Sequence, residues 1–163
     1  MPWPTIFFFT VINILNYLDR ALVASVLPIL VAELSLTNEQ GGRLVSTFVL
    51  GYFIFSPIFG YLGDRYNRPC LMAVGVFLWS LATIATGLAG GFWVFVAARV
   101  MVGVGEASFG AVAPGYIKDL IRDPIKVNSA LSLYFSAYLS AMPSDTSWAA
   151  SLRSTIPGAR LFM

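Results

Sequence analysis

The sequence predicts an all-α fold, a polytopic transmembrane helical bundle, on three observations. Of its 163 residues, 58% are apolar and 11% charged, with no histidine, whereas soluble domains carry about 25% charged residues. The apolar residues gather into runs of roughly 20 or more, the length a helix needs to cross the hydrocarbon layer. Short polar links between these runs hold most of the charges. A lipid bilayer is therefore the expected surroundings of the chain.

The first run, about 6–32, carries Asn13-Ile14-Leu15-Asn16-Tyr17-Leu18-Asp19-Arg20 near its centre. A charge at that depth costs about 2.5 to 3.5 kcal/mol on insertion scales, so two adjacent ones do not face lipid. At 100° per residue, Asn13, Asn16, Asp19 and Arg20 fall within roughly 120° of one another. This polar stripe must meet other protein or a wet cavity. The run has no basic leader and is broken by the charge pair, so it is read as a retained helix and not as a cleaved signal peptide.

After a polar link, Thr37 followed by Gln40 has the form of a capping box, and a second helix is expected at about 41–62. Its Gly51, Ser56 and Gly60 suit close helix packing, and Pro57 suits a kink. The link Gly60 to Pro69 is charged, and Pro69 fits the first turn of a third helix at about 69–88. That helix has no ionisable side chain and reads as a packing element. The fourth, about 92–117, contains Arg99 and Glu106, seven apart and so on one face, with Gly103 and Gly110 beside them and Gly105 adjacent. Glycines there let a neighbouring backbone or a ligand come close to the charges.

The segment 118–126 is a charged, amphipathic link, followed by a partial fifth helix at about 128–142. At roughly 14 residues it falls short of spanning length. From Pro143 to Met163 the composition turns to Ser, Thr, Pro and Arg, and this divergent tail is expected to be poorly ordered or interfacial. The bundle is thus assigned to 1–142. Arg65, Arg68, Lys118, Arg122 and Lys126 lie on one side of the predicted helices, against Arg43 on the other. The positive-inside rule puts the N-terminus and both basic links in the cytoplasm, in a multi-pass protein of the inner or plasma membrane. A spanning fifth helix would put Arg153 and Arg160 outside, against that bias.

A net charge of +2 gives no reason to expect a nucleic-acid partner, and Cys70 is the one cysteine, so no disulfide or dithiol site can form within the chain. There is no phosphate-binding Gly-x4-Gly-Lys-Ser/Thr loop and no histidine-based catalytic constellation. No enzyme, cofactor or metal site is expected. What remains at membrane depth is two acids, Asp19 and Glu106, and two bases, Arg20 and Arg99.

Burial opposes a carboxylate's charge and a nearby guanidinium favours it, a balance that suits a proton-coupling group in a transporter. The arginines are equally able to hold an anionic substrate. The alternative is that the four charges are structural ion pairs. Asp19 and Arg20 are neighbours about 100° apart on the helix, so each needs a partner elsewhere. Two other functional classes stay open, a small dimeric exporter of drugs or organic cations and a non-transporting membrane module. Asp64, Arg65 and Arg68, taken without a motif, are solvated anchors at a helix end.

Gly60-Tyr61-Leu62-Gly63-Asp64-Arg65-Tyr66-Asn67-Arg68 resembles the signature between helices 2 and 3 of the major facilitator superfamily, with Pro69 where that signature has a final basic residue. Arg99-x3-Gly103-x-Gly105 is similar to the superfamily's helix 4 motif. Asn16-Tyr17-Leu18-Asp19-Arg20 and Gly103-Val104-Gly105-Glu106-Ala107-Ser108 with Ala113-Pro114 resemble the spinster branch. The resemblance implies a two-halved transporter with a central cavity, moving lysolipids, sphingoid lipids or similar amphipathic solutes with protons. It implies that Asp19 and Glu106 are the protonatable pair, that Arg20 and Arg99, with Asn16, are their partners, and that Gly60, Asp64, Arg65 and Arg68 form a cytoplasmic gate. The likeness stops after about Tyr138, so the expectation is the N-terminal part of such a protein, truncated or frame-shifted, with a missing C-terminal half as its partner.

Overall fold

The computed structural model describes residues 3–33, 35–121 and 123–141. The expected tail at 143–163, with Arg153 and Arg160, and also Arg122 lie outside the described residues. The described chain forms α1 (Trp3–Glu33), α2 (Asn38–Arg65), α3 (Arg68–Gly87), α4 (Phe92–Leu120) and α5 (Pro124–Ala141). No strand occurs among the described residues. The first four helices are long and apolar enough to cross a membrane, and the chain is a multi-pass integral membrane protein.

Local chemistry sets the boundaries. The capping box before α2 is present in both directions, Gln40 N–H donating to Thr37 Oγ1 (3.2 Å) and Thr37 N–H to Gln40 Oε1 (2.8 Å). Helix α2 continues past the expected end at 62, through Asp64 and Arg65, because Tyr66 N–H still reaches Leu62 O at 2.8 Å. Asn67 Oδ1 then accepts from Cys70 N–H (3.1 Å) to start α3, with Pro69 inside the first turn. The fifth helix differs from expectation. It begins at Pro124 and has 18 residues, because Asp123 caps it by accepting from Ile125 N–H (3.0 Å). Asp123-Pro124, inside the expected charged link, is itself a helix start signal.

Helix α4 is the axis of the bundle. Of its most apolar stretch, 56% of residues are buried, against 6% in α1. Small residues allow that centrality. A Cβ on Gly51 of α2 would sit 2.8 Å from Val100 O, and one on Gly105 of α4 would sit 2.7 Å from Gly75 O of α3. The paired positions Gly51 with Val100 and Gly63 with Val112 run α2 parallel to α4. Ser108 Oγ donating to Leu71 O (2.8 Å), and Gly105 against Trp79, run α3 antiparallel to it. Gly60 does not share in this packing, since no atom lies within 4 Å of its Cβ position; of the two glycines at this end of α2, Gly63 meets α4.

Helix α1 lies alongside α5 and parallel to it. Asn13 Nδ2 donates to Tyr134 O (3.0 Å), and Tyr17 meets Tyr138 edge-on with centroids 5.3 Å apart. One apolar core joins Ile6 and Phe9 of α1, Met72 of α3, Phe109, Val112 and Ile117 of α4, and Ala130 and Tyr134 of α5. Phe9 packs edge to face on Phe109 at 5.8 Å. By contrast Phe7, Phe53, Phe77 and Trp93 point outward, as suits side chains solvated by acyl chains.

Candidate functional site

Because α1 and α4 run antiparallel, the charged segment at the middle of α1 faces the first half of α4. Arg20 Nε donates to Glu106 Oε2 at 2.7 Å, and Arg99 Nη2 donates to Asp19 Oδ2 at 3.1 Å. The two charges that are adjacent on α1 therefore turn to different partners on α4, as their 100° separation requires. Both pairs bridge helices across 86 and 80 residues of sequence.

The pairs differ in burial. Glu106 is fully buried and the Arg20 side chain is 30% exposed, while Arg99 and Asp19 stand at 3% and 13%. Glu106 Oε1 and Arg99 Nε are buried with no hydrogen-bond partner among the described residues. An unpaired acceptor on a buried carboxyl is costly, about 1 to 3 kcal/mol or more for a charged group. Such a position is either strained or open to a proton or a ligand donor.

Aromatic side chains complete the site. The Arg20 guanidinium lies over the rings of Tyr52 (4.8 Å), Phe48 (4.9 Å) and Tyr17 (5.3 Å), and Phe48 also lies 5.7 Å from that of Arg99. The sequence does not single out Phe48 and Tyr52, because an aromatic residue in an apolar run looks like any lipid-facing one; only the fold sets them opposite the α4 glycines. Asn16 is buried, and Asn13 is drawn away to α5 by its bond to Tyr134 O. The polar stripe of α1 thus divides between two neighbouring helices.

At the α2–α3 turn a second cluster forms. Arg68 donates through Nε to Gly63 O (2.8 Å), through Nη2 to Asp64 (3.0 Å) and through Nη1 to Asp119 at the end of α4. Arg65 instead lies over the Tyr61 ring at 4.5 Å. A crevice of about 470 Å³ opens here, lined by Asp64, Tyr66, Asn67, Arg68, Tyr116 and Asp119. Asp119 belongs by sequence to the charged link expected at 118–126. Its role as the inter-helix acceptor depends on where α4 ends. Among the described residues, no three His, Cys, Asp or Glu side chains gather as a metal site.

Comparison with known proteins gives this geometry a context. Residues 9–144 match the Major Facilitator Superfamily. Over 134 residues the chain is 40% identical to Protein spinster of Drosophila melanogaster, covering 82% of this chain and 22% of that one. It is 38% identical over 126 residues to the sphingosine-1-phosphate transporter SPNS2 of Mus musculus, covering 76% and 23% respectively. Among solved structures, a crystal structure of a bacterial homolog of the human lysosomal transporter spinster, inward-facing and occupied, superposes with a TM-score of 0.80 at 28% identity. That superposition covers 86% of this chain and 31% of the other. The chain spans about a quarter of the length of the curated relatives it matches.

Proposed function

The chain belongs to the major facilitator superfamily, its relatives are spinster proteins, and from that membership we propose that it supplies one wall of a proton-coupled transporter for an amphipathic lipid. The substrate class is a lysolipid or sphingoid lipid, a charged head on a long hydrocarbon tail; the mouse relative is named a sphingosine-1-phosphate transporter. The opposite wall comes from a second set of helices, a C-terminal half of the kind that two-halved transporters place around a central site.

The observation that carries this reading is the Arg20–Glu106 pair, with Glu106 Oε1 left unpaired in a fully buried carboxyl. When Glu106 is ionised, Arg20 is its counter-ion. When Glu106 takes a proton on the unpaired oxygen, the attraction falls and Arg20 is released toward the exposed side, where an anionic head group can take over its charge. Asp19 and Arg99 act as a second couple on the same face, with Asn16 beside them. One protonation event thereby alters what the cavity can hold, which is the requirement for coupling.

In this reading the Arg68 cluster, with Asp64, Arg65 and Gly60 around it, closes the cytoplasmic end while the cavity opens outward. The excess of basic residues at that end supports a cytoplasmic N-terminus. The test is flux of a fluorescent lysolipid into proteoliposomes under an imposed pH gradient, comparing this chain, a version extended through a C-terminal half, and the extended version with Glu106→Gln. The extended protein is expected to show gradient-driven flux that Glu106→Gln abolishes. Flux indifferent to the gradient, or untouched by the substitution, overturns the proposal.

A further inference from the structure

Arg20 is surrounded by aromatic rings as well as bonded at one edge. Its guanidinium lies within 4.8 to 5.3 Å of three ring centres, and the edge it offers to Glu106 is Nε alone. A free guanidinium meets a carboxylate best as a fork, two parallel N–H bonds onto two oxygens. Here one oxygen is bonded and the other is left without a partner. Three rings this close around the guanidinium restrict its turning to present the fork.

The rings are themselves held by two missing side chains on α4. Phe48 and Tyr52 are one helical turn apart on α2. A Cβ on Gly103 would collide with the backbone at Phe48 O and Tyr52 N, and a Cβ on Gly110 would stand 2.6 Å from Tyr52 Oη and 3.5 Å from Tyr52 Cζ. Gly103 thus admits the α2 backbone, and Gly110 admits the Tyr52 hydroxyl. The path of contacts runs from glycine to ring to guanidinium to carboxyl.

We propose that Tyr52 and Phe48, seated against Gly110 and Gly103, are positioning residues that hold Arg20 edge-on to Glu106, so that the pair is made through one bond and Oε1 stays available. The inference rests on the reading of Arg20–Glu106 as the coupling pair only for its functional meaning; the clamp itself is a claim about geometry.

The experiment is nitrogen-15 NMR of the full chain in lipid nanodiscs, labelled at arginine side chains. The Arg20 Nε–H signal is identified by its loss in Arg20→Lys, and the Arg99 signals, identified with Arg99→Lys, report that the fold is intact. Tyr52→Leu is expected to speed solvent exchange of the Arg20 Nε–H at least tenfold with the Arg99 signals in place, and Tyr52→Phe, which keeps the ring but loses a hydroxyl within hydrogen-bonding reach of Arg20, to speed it by clearly less. Gly110→Ala, which crowds the Tyr52 hydroxyl, is expected to displace the Arg20 signal, and adding Tyr52→Phe to it to restore the position the signal has in Tyr52→Phe alone. Unchanged exchange in Tyr52→Leu, or no restoration in the double variant, overturns the clamp; should Tyr52→Leu not fold, the Gly110 pair decides. Gradient-driven flux that survives Glu106→Gln sinks the coupling role without touching this result, so the two failures are distinct.

Discussion

Arg20 and Glu106, 86 residues apart, meet through one 2.7 Å bond between a partly exposed guanidinium and a fully buried carboxyl. The asymmetry has an energetic consequence. Removing Arg20 strands a charge with no exposure at all, whereas removing Glu106 leaves a cation that keeps three aromatic rings and some contact with the surroundings. Breaking a buried pair from one side costs about 3 to 5 kcal/mol, so Arg20→Gln is expected at the upper end and Glu106→Gln below it. The double variant is expected to be more stable than Arg20→Gln alone. Thermal unfolding of the three variants in one detergent gives the coupling energy, and strict additivity would refute the pair's contribution.

The second pair is expected to respond to acid differently. Asp19→Asn leaves Arg99, which is 3% exposed, without its partner. A carboxyl can discard a buried charge by taking up a proton, but a guanidinium does not give one up. Lowering pH is therefore expected to restore part of the stability lost in Arg20→Gln, where the stranded group is Glu106. It is expected to restore none of that lost in Asp19→Asn. Unfolding midpoints measured across mildly acidic to neutral pH check the contrast.

Two glycines with similar motif status are expected to behave oppositely. Gly103→Ala drives a Cβ into backbone atoms of α2 at Phe48 and Tyr52, which a rotamer change cannot relieve. Overpacking of that kind costs about 1 to 3 kcal/mol. Gly60→Ala meets nothing within 4 Å, and a glycine in a helix interior is disfavoured by roughly 0.5 to 1 kcal/mol against alanine, so that change is expected to be neutral or stabilising. Denaturation of the two single variants reads this directly.

Arg68 ties the turn between α2 and α3 to the end of α4. Its guanidinium serves Asp64, Asp119 and Gly63 O at once, three acceptors on a planar group. The carboxylates are mostly exposed, so Asp64→Asn or Asp119→Asn alone is expected to cost no more than about 1 kcal/mol. Arg68→Lys keeps the charge but not the fork, and is expected to destabilise nearly as much as Arg68→Ala. A lysine variant indistinguishable from wild type in thermal unfolding would show that charge, and not geometry, holds the turn.

Several features were legible in the sequence because their causes are local. The Thr37/Gln40 capping box and the Asn67–Pro69 start of α3 depend on residues within one turn, and both are formed. The start of α5 was equally local in Asp123-Pro124 but was masked by the charges around it. Asp119 and Tyr52 were not legible, since nothing in a charged link or an apolar run says which helix will lie opposite.

The sequence alone determined that Asp19, Arg20, Arg99 and Glu106 would turn inward, because the cost of a charge in hydrocarbon is a property of each residue and its helix. It also determined that Asp19 and Arg20 would need separate partners, because the helical repeat points neighbours about 100° apart. Only the tertiary structure decided that Arg20 takes Glu106 and Asp19 takes Arg99, and that one carboxyl oxygen is left over. Those outcomes depend on how far α1 is shifted and rotated against α4, and on how closely α2 approaches. That placement is set jointly by the glycine contacts and core packing of several helices, and no single stretch of sequence contains it.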